Sequence, residues 1–125
     1  MVVHASVRML IPSQKRDEVL GILGSLSRMT RYEPGCISCR VYRGEEEEDG
    51  ILLEELWSDE EQLEHHLRSA EFYKVLLVSE LSSAPPEFRF ETVLRSSGIE
   101  TIVKARTSPG AGNAFSSTTP QEVSP

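Results

Sequence analysis

Apolar and polar side chains alternate along residues 2–11. Val3, Ala5, Val7, Met9 and Ile11 fall on one face and His4, Ser6 and Arg8 on the other, the period-two pattern of a strand. Pro12-Ser13 breaks that rhythm, and Val19, Ile22, Leu23, Leu26 and Met29 then trace the stripe of a helix over residues 14–30, with Ser13 as its N-cap. Glu33-Pro34-Gly35 turns the chain into a second strand, residues 36–43. The acidic run 45–49, bracketed by Gly44 and Gly50, is expected as a solvated hairpin connection. A third strand follows over 51–57, with Ile51, Leu53, Glu55 and Trp57 on one face and Leu52, Glu54 and Leu56 on the other. Ser58 and Glu61 match a capping box, so a helix should start directly after Trp57, with Leu63, His66 and Leu67 facing inward. A kink is expected near Arg68, where Ser69 is placed to cap a second segment whose stripe is Phe72, Leu76 and Leu77. Beyond Pro85-Pro86, residues 88–94 alternate as a fourth strand, and after Ser96-Ser97-Gly98 residues 99–103 resume it.

The order β-α-β-β-α-β with a central hairpin predicts an α+β, ferredoxin-like fold, an antiparallel sheet with two helices on one face. The other face needs cover too, because strands 36–43 and 88–94 carry bulky residues on both sides. A symmetric homodimer that stacks two sheets supplies it. Residues 1–105 form the domain; 106–125, rich in Ser, Thr, Pro and Gly, are expected as a tail.

Charge and composition then remove classes of function. A net charge of −7 without a basic stripe excludes nucleic acid as a partner. No run approaches the roughly 18 apolar residues of a membrane span. Residues 1–13 lack the pattern of a signal peptide, so a cytoplasmic protein is expected. Cys36 and Cys39 have C-x-x-C spacing, but strand alternation places residues three apart on opposite faces, and a zinc site needs further ligands. They are expected as two unrelated thiols in a reducing compartment. The acidic run lacks the ligand pattern of a calcium loop, and the adjacent His65 and His66 do not converge on a helix. With neither a phosphate loop nor a dinucleotide fingerprint, the reading includes no metal and no cofactor.

Chemistry concentrates in the stretch from Trp57 to Phe72. A strand ending in Trp57 and feeding a helix that carries His66 brings an indole, an imidazole and the phenyl ring of Phe72 together. That is a substrate pocket or a filled core. A neutral imidazole is the usual proton acceptor near neutral pH. His4, Ser6 and Arg8, joined by Arg40, form a polar cluster that needs a ligand, water or other side chains to satisfy it.

Several motifs resemble the antibiotic biosynthesis monooxygenase family in order and spacing: Pro34-Gly35-Cys36-Ile37-Ser38, Val41-Tyr42, Glu55-x-Trp57 and His66-x-x-Ser69-x-x-Phe72. The resemblance covers residues 2–94. It implies a dimeric α+β barrel with a pocket between sheet and helices in each subunit, lined at the positions of Trp57 and His66. The family includes cofactor-independent monooxygenases of quinols and polyketide phenols, heme-degrading oxygenases, and relatives with isomerase activity. The heme-degrading branch has Asn, Trp and an iron-binding His where this chain has Ser6, His66 and Leu76, and an apolar Leu cannot ligate iron. The polyketide-oxidising members have an Asn where this chain has Leu53.

The resulting expectation is a cofactor-independent monooxygenase that oxidises a quinol or polycyclic phenol with O2. His66 is its base or hydrogen-bond partner, Trp57 and Phe72 are its pocket walls, Arg40 stabilises an anion, and Ser6 and His4 contact substrate. The rival from another class is a non-catalytic dimeric barrel that binds a small molecule or serves in stress response.

Overall fold

The computed structural model describes residues 1–107. Eight elements follow in order: β1 (Val3–Leu10), α1 (Ser13–Thr30), β2 (Cys36–Arg43), β3 (Gly50–Trp57), α2 (Glu60–Leu67), α3 (Ala70–Ser79), β4 (Glu87–Thr92) and α4 (Ile99–Thr107). The four strands form one sheet in the order β2-β3-β1-β4, with every neighbouring pair antiparallel. This is the ferredoxin-like α+β arrangement that the element order predicts.

Alternation within the strands decides which face the helices cover. Val3, Ala5, Val7 and Met9 of β1 are buried, as are Ile51, Leu53, Glu55 and Trp57 of β3. They pack with Val19, Leu23 and Leu26 of α1 and Phe72, Val75 and Val78 of α3, mostly in one apolar cluster; Val3, Ala5, Trp57 and Leu63 make a smaller adjoining one. Unit 1 of the chain ends at Leu94, and α4 belongs to a second unit beginning at Arg95. No helix among the described residues is long and apolar enough to cross a membrane.

Several local expectations need correction. The helix after Trp57 is capped by Asp59, whose side chain accepts from Gln62 N, so the capping serine expected at 58 lies one residue too early. Ser13 begins α1 as its first residue, with Pro12 at the N-cap and no side-chain cap bond. The break at Arg68 is present, and Ser69 Oγ accepts from Phe72 N at 3.1 Å. In α3, however, Val75 and Val78 are buried and Leu76 and Leu77 are exposed. Residues 99–103 are helical rather than extended: Gly98 N donates to Glu100 Oε2 at 2.7 Å, so the first helical turn closes on itself despite the β-branched residues that follow. In the hairpin connection, Glu47 pairs with Arg8, and Asp49 pairs with Arg16 at 2.9 Å. The expected tail lies, from residue 108 onward, outside the described residues.

The cysteines carry the most instructive correction. β2 has an irregularity between Cys36 and Ser38: Cys36 stands opposite Trp57, Ser38 opposite Leu56 and Cys39 opposite Glu55. Ile37 is the extra residue of a β-bulge, which resets the alternation. Both thiols therefore belong to the helix-covered face. Burial, then the charge of Glu55, raises the Cys36 pKa to about 11 and that of Cys39 to about 12, so neither is a thiolate near neutral pH.

Candidate functional site

Four elements build the polar centre of the core. β3 contributes Glu55 and Trp57 from its helix-covered face, α2 contributes His66, α3 contributes Phe72, and the turn after α1 contributes Glu33. Trp57 has 0% and His66 1% exposure. Their rings stack with centroids 4.7 Å apart and planes 29° from parallel, and Phe72 meets the imidazole edge-on at 5.5 Å.

Two carboxylates hold the imidazole in the plane that the aromatics leave open. Nδ1 is 2.9 Å from Glu33 Oε1, a hydrogen bond, and Nε2 is 3.4 Å from Glu55 Oε2. The second contact is an ion-pair distance whose geometry does not make a hydrogen bond, so Nε2 has no hydrogen-bond partner among the described residues. Burial is the largest single influence on His66 and disfavours its charge, but Glu55 and Glu33 together outweigh it and raise the pKa above 6.5. Glu55 also accepts from Trp57 Nε1 at 2.8 Å and faces the Cys39 thiol at 3.9 Å. The centre is thus a buried network, with Nε2 facing Glu55 without a hydrogen bond, that favours an imidazolium, which donates hydrogen bonds rather than accepting protons.

The turn that delivers Glu33 is fixed from the other side. Gly35 has φ +84°, and a β-carbon there would lie 2.5 Å from Cβ and Cγ of Gln62. Its carbonyl accepts from Ser58 N at 2.8 Å. Only glycine allows this approach of the turn to the start of α2.

The six residues singled out from sequence divide into two sets. His66, Trp57 and Phe72 meet on the helix-covered side. His4, Ser6 and Arg40 are on the opposite face of the sheet: Ser6 and Arg40 both flank Glu54, and His4 flanks Leu56. His4 Nε2 is 2.9 Å from Glu54 Oε2 and its Nδ1 is 3.7 Å from Glu91 Oε1. The sheet separates the two sets. Glu55 and Glu33 join the centre without having been expected there from the sequence. The signal for Glu55 was a carboxylate at an apolar-parity position of β3; Glu33, in a turn, had none.

A ring lining a space that admits water keeps accessible surface, and Trp57 keeps none. A hollow of about 270 Å³ lies between α2 and β4, lined by Val3, Leu63, Leu67, Phe90 and Thr92 with Glu60 and Glu64. Val3 and Leu63 belong to both the hollow's wall and the cluster around Trp57.

Comparison with known proteins agrees with this architecture. An uncharacterised protein of Synechocystis sp. is 28% identical over 80 residues, or 63% of this chain; the match spans only 54% of that protein. A crystal structure of a conserved Methanosarcina mazei Go1 protein superposes with a TM-score of 0.67 at 27% identity, covering 73% of this chain and 91% of that one. A crystal structure described as an antibiotic biosynthesis monooxygenase superposes with a TM-score of 0.67 at 19% identity, covering 74% and 99%. The sequence profile of the antibiotic biosynthesis monooxygenase family matches residues 2–75, and the chain belongs to that family.

Proposed function

We propose that the protein is a homodimeric monooxygenase that oxidises a quinol or polycyclic phenol with O2, the electron-rich substrate itself reducing oxygen. One oxygen atom is retained as a ring carbonyl and the other leaves as water. The observation that carries this reading is the buried imidazole, stacked on an indole and tethered to two carboxylates, with Val3 and Leu63 between the indole's cluster and a hollow of mixed lining. Family membership and the similarity to a structure described as a monooxygenase support it.

In this reading the substrate occupies the hollow between α2 and β4, with its ring against Phe90 and Leu67. Contact with His66 requires Leu63 or Val3 to swing aside. His66, held toward its charged form, then donates a hydrogen bond to the substrate oxygen and stabilises the phenolate that hands an electron to O2. Trp57 and Phe72 keep the imidazole in position and the site dry.

Oxygen consumption with a panel of hydroquinones and anthrone-like phenols tests the proposal. His66→Ala is expected to lower the rate at least about 100-fold, and Leu63→Trp, which fills the hollow, should abolish it with the His66 network intact. Undiminished turnover in both variants, or no oxygen uptake by wild type with any substrate, overturns it. Sedimentation that finds only a 14.0 kDa species removes the homodimer.

One observation favours a second reading. Because Trp57 and His66 are closed to solvent, their network also suits a structural core beside a non-catalytic ligand site. That reading predicts a change in Trp57 fluorescence on ligand addition without oxygen uptake.

A further inference from the structure

At the free edge of β2, away from the aromatic centre, a cavity of about 440 Å³ is lined by Arg31, Ile37, Ser38, Cys39 and Arg40. Two of its five lining residues are arginines and none is acidic, in a chain whose net charge is −7. Such a local reversal of sign concentrates positive potential in a concave space.

The two guanidinium groups differ in a way that suits ligand binding. Arg31 is fixed: its Nε donates to the carbonyl oxygen of Cys39 at 2.9 Å and its Nη2 to Ser27 Oγ at 3.2 Å. Those bonds occupy one edge of the fork and hold the remaining donors in place. Arg40 stands opposite Glu54 across the strands but makes no ion pair or hydrogen bond with it or with any other described residue. An arginine with no partner among the described residues, lining the same cavity as an immobilised one, suits that cavity to an oxyanion. Ser38 adds a hydroxyl donor, and the bulge pushes Ile37 outward, 55% exposed, as an apolar shelf beside the charges.

We propose that this edge cavity binds a small molecule carrying a carboxylate or phosphate group, which Arg31 and Arg40 clasp while its apolar part lies on Ile37. The site is independent of the His66 centre, so it stands or falls separately from the proposed oxidation.

The test is titration of the full-length, isotope-labelled protein with benzoate and with inorganic phosphate, followed by amide shifts, with chloride at matched ionic strength as control. Saturable shifts centred on Ser38 and Arg40 are expected with at least one probe, and the stronger probe identifies the carboxylate or phosphate class. Arg40→Ala, an exposed substitution, should weaken binding about tenfold or more, as expected for loss of a charge-assisted pair. Arg31→Lys keeps the charge but loses the fork, and should also weaken it. Absence of saturable shifts with both probes overturns the site, as does binding that Arg40→Ala leaves unchanged.

Discussion

Replacing Glu55 by alanine removes three things at once: the acceptor of the Trp57 indole N–H at 2.8 Å, one of the two charges beside His66, and the volume of a side chain that is only 3% exposed. Leaving a buried indole N–H without an acceptor costs about 1–3 kcal/mol. Breaking a buried ion pair by deleting one partner costs about 3–5 kcal/mol. The two overlap, because His66 can shed its proton and return part of the second cost, so Glu55→Ala should destabilise by about 3–5 kcal/mol in all. Glu55→Gln is the informative control. It keeps an acceptor for the indole and the shape of the side chain, and a neutral His66 can still donate through Nδ1 to Glu33. Its cost should therefore be about 1 kcal/mol above neutral pH, where the imidazole is less charged. Urea unfolding followed by the fluorescence of Trp57, the only tryptophan, measures both variants in one assay. A Glu55→Ala loss below about 1 kcal/mol, or equal losses for the two variants, would refute the account of Glu55 as the acceptor on which the centre depends.

Three further outcomes follow from the same geometry. The His66 pKa is raised in the folded state, so its contribution is complete below the unfolded value of about 6.5 and is lost as pH rises through the folded one. Wild-type stability should accordingly fall relative to His66→Gln as urea midpoints are measured upward from pH 6.5; a rise across that window would contradict the assignment. Asp59→Ala should cost about 1 kcal/mol by removing the α2 cap, with Ser58→Ala nearly neutral, and thermal melts that reverse this order would return the cap to Ser58. Gly35→Ala combines a positive φ with a clash against Gln62 and should destabilise by about 2–4 kcal/mol. Gly21→Ala, which meets nothing within 4 Å inside α1, should stabilise by about 0.5–1 kcal/mol, and equal effects at the two glycines would show that the turn is not constrained.

The parts of the fold that are legible in the sequence are those set by one strong period. Alternation in β1 and β3 identified their buried faces, including the side on which Glu55 and Trp57 lie together. Where apolar residues run consecutively, as in Val75-Leu76-Leu77-Val78, periodicity has no phase to report. Packing against α1 then chose the valines. Residues 99–103 have the strand propensity of Ile99, Thr101, Ile102 and Val103, whereas a local carboxylate-to-backbone bond at Gly98 accompanies the start of a helix. The candidate site was half legible. The handover from the Trp57 strand end to the helix of His66, followed by the Ser69-capped segment of Phe72, pointed to three rings meeting, but the Glu33 contact joins residues 33 apart in sequence, and nothing in the local pattern of a turn announces such a partner.

The extra residue at Ile37 acts on β2 as a change of phase. Cys36, on its N-terminal side, faces the interior because the strand counts one residue more than its neighbour does. Loss of a single amino acid at this point should turn Cys36 to the solvent side of the ribbon and strain the turn that carries Glu33 to the imidazole, although every side chain of the network would remain in the gene product. Length at position 37, rather than identity there, is thus what joins the edge of the sheet to its centre.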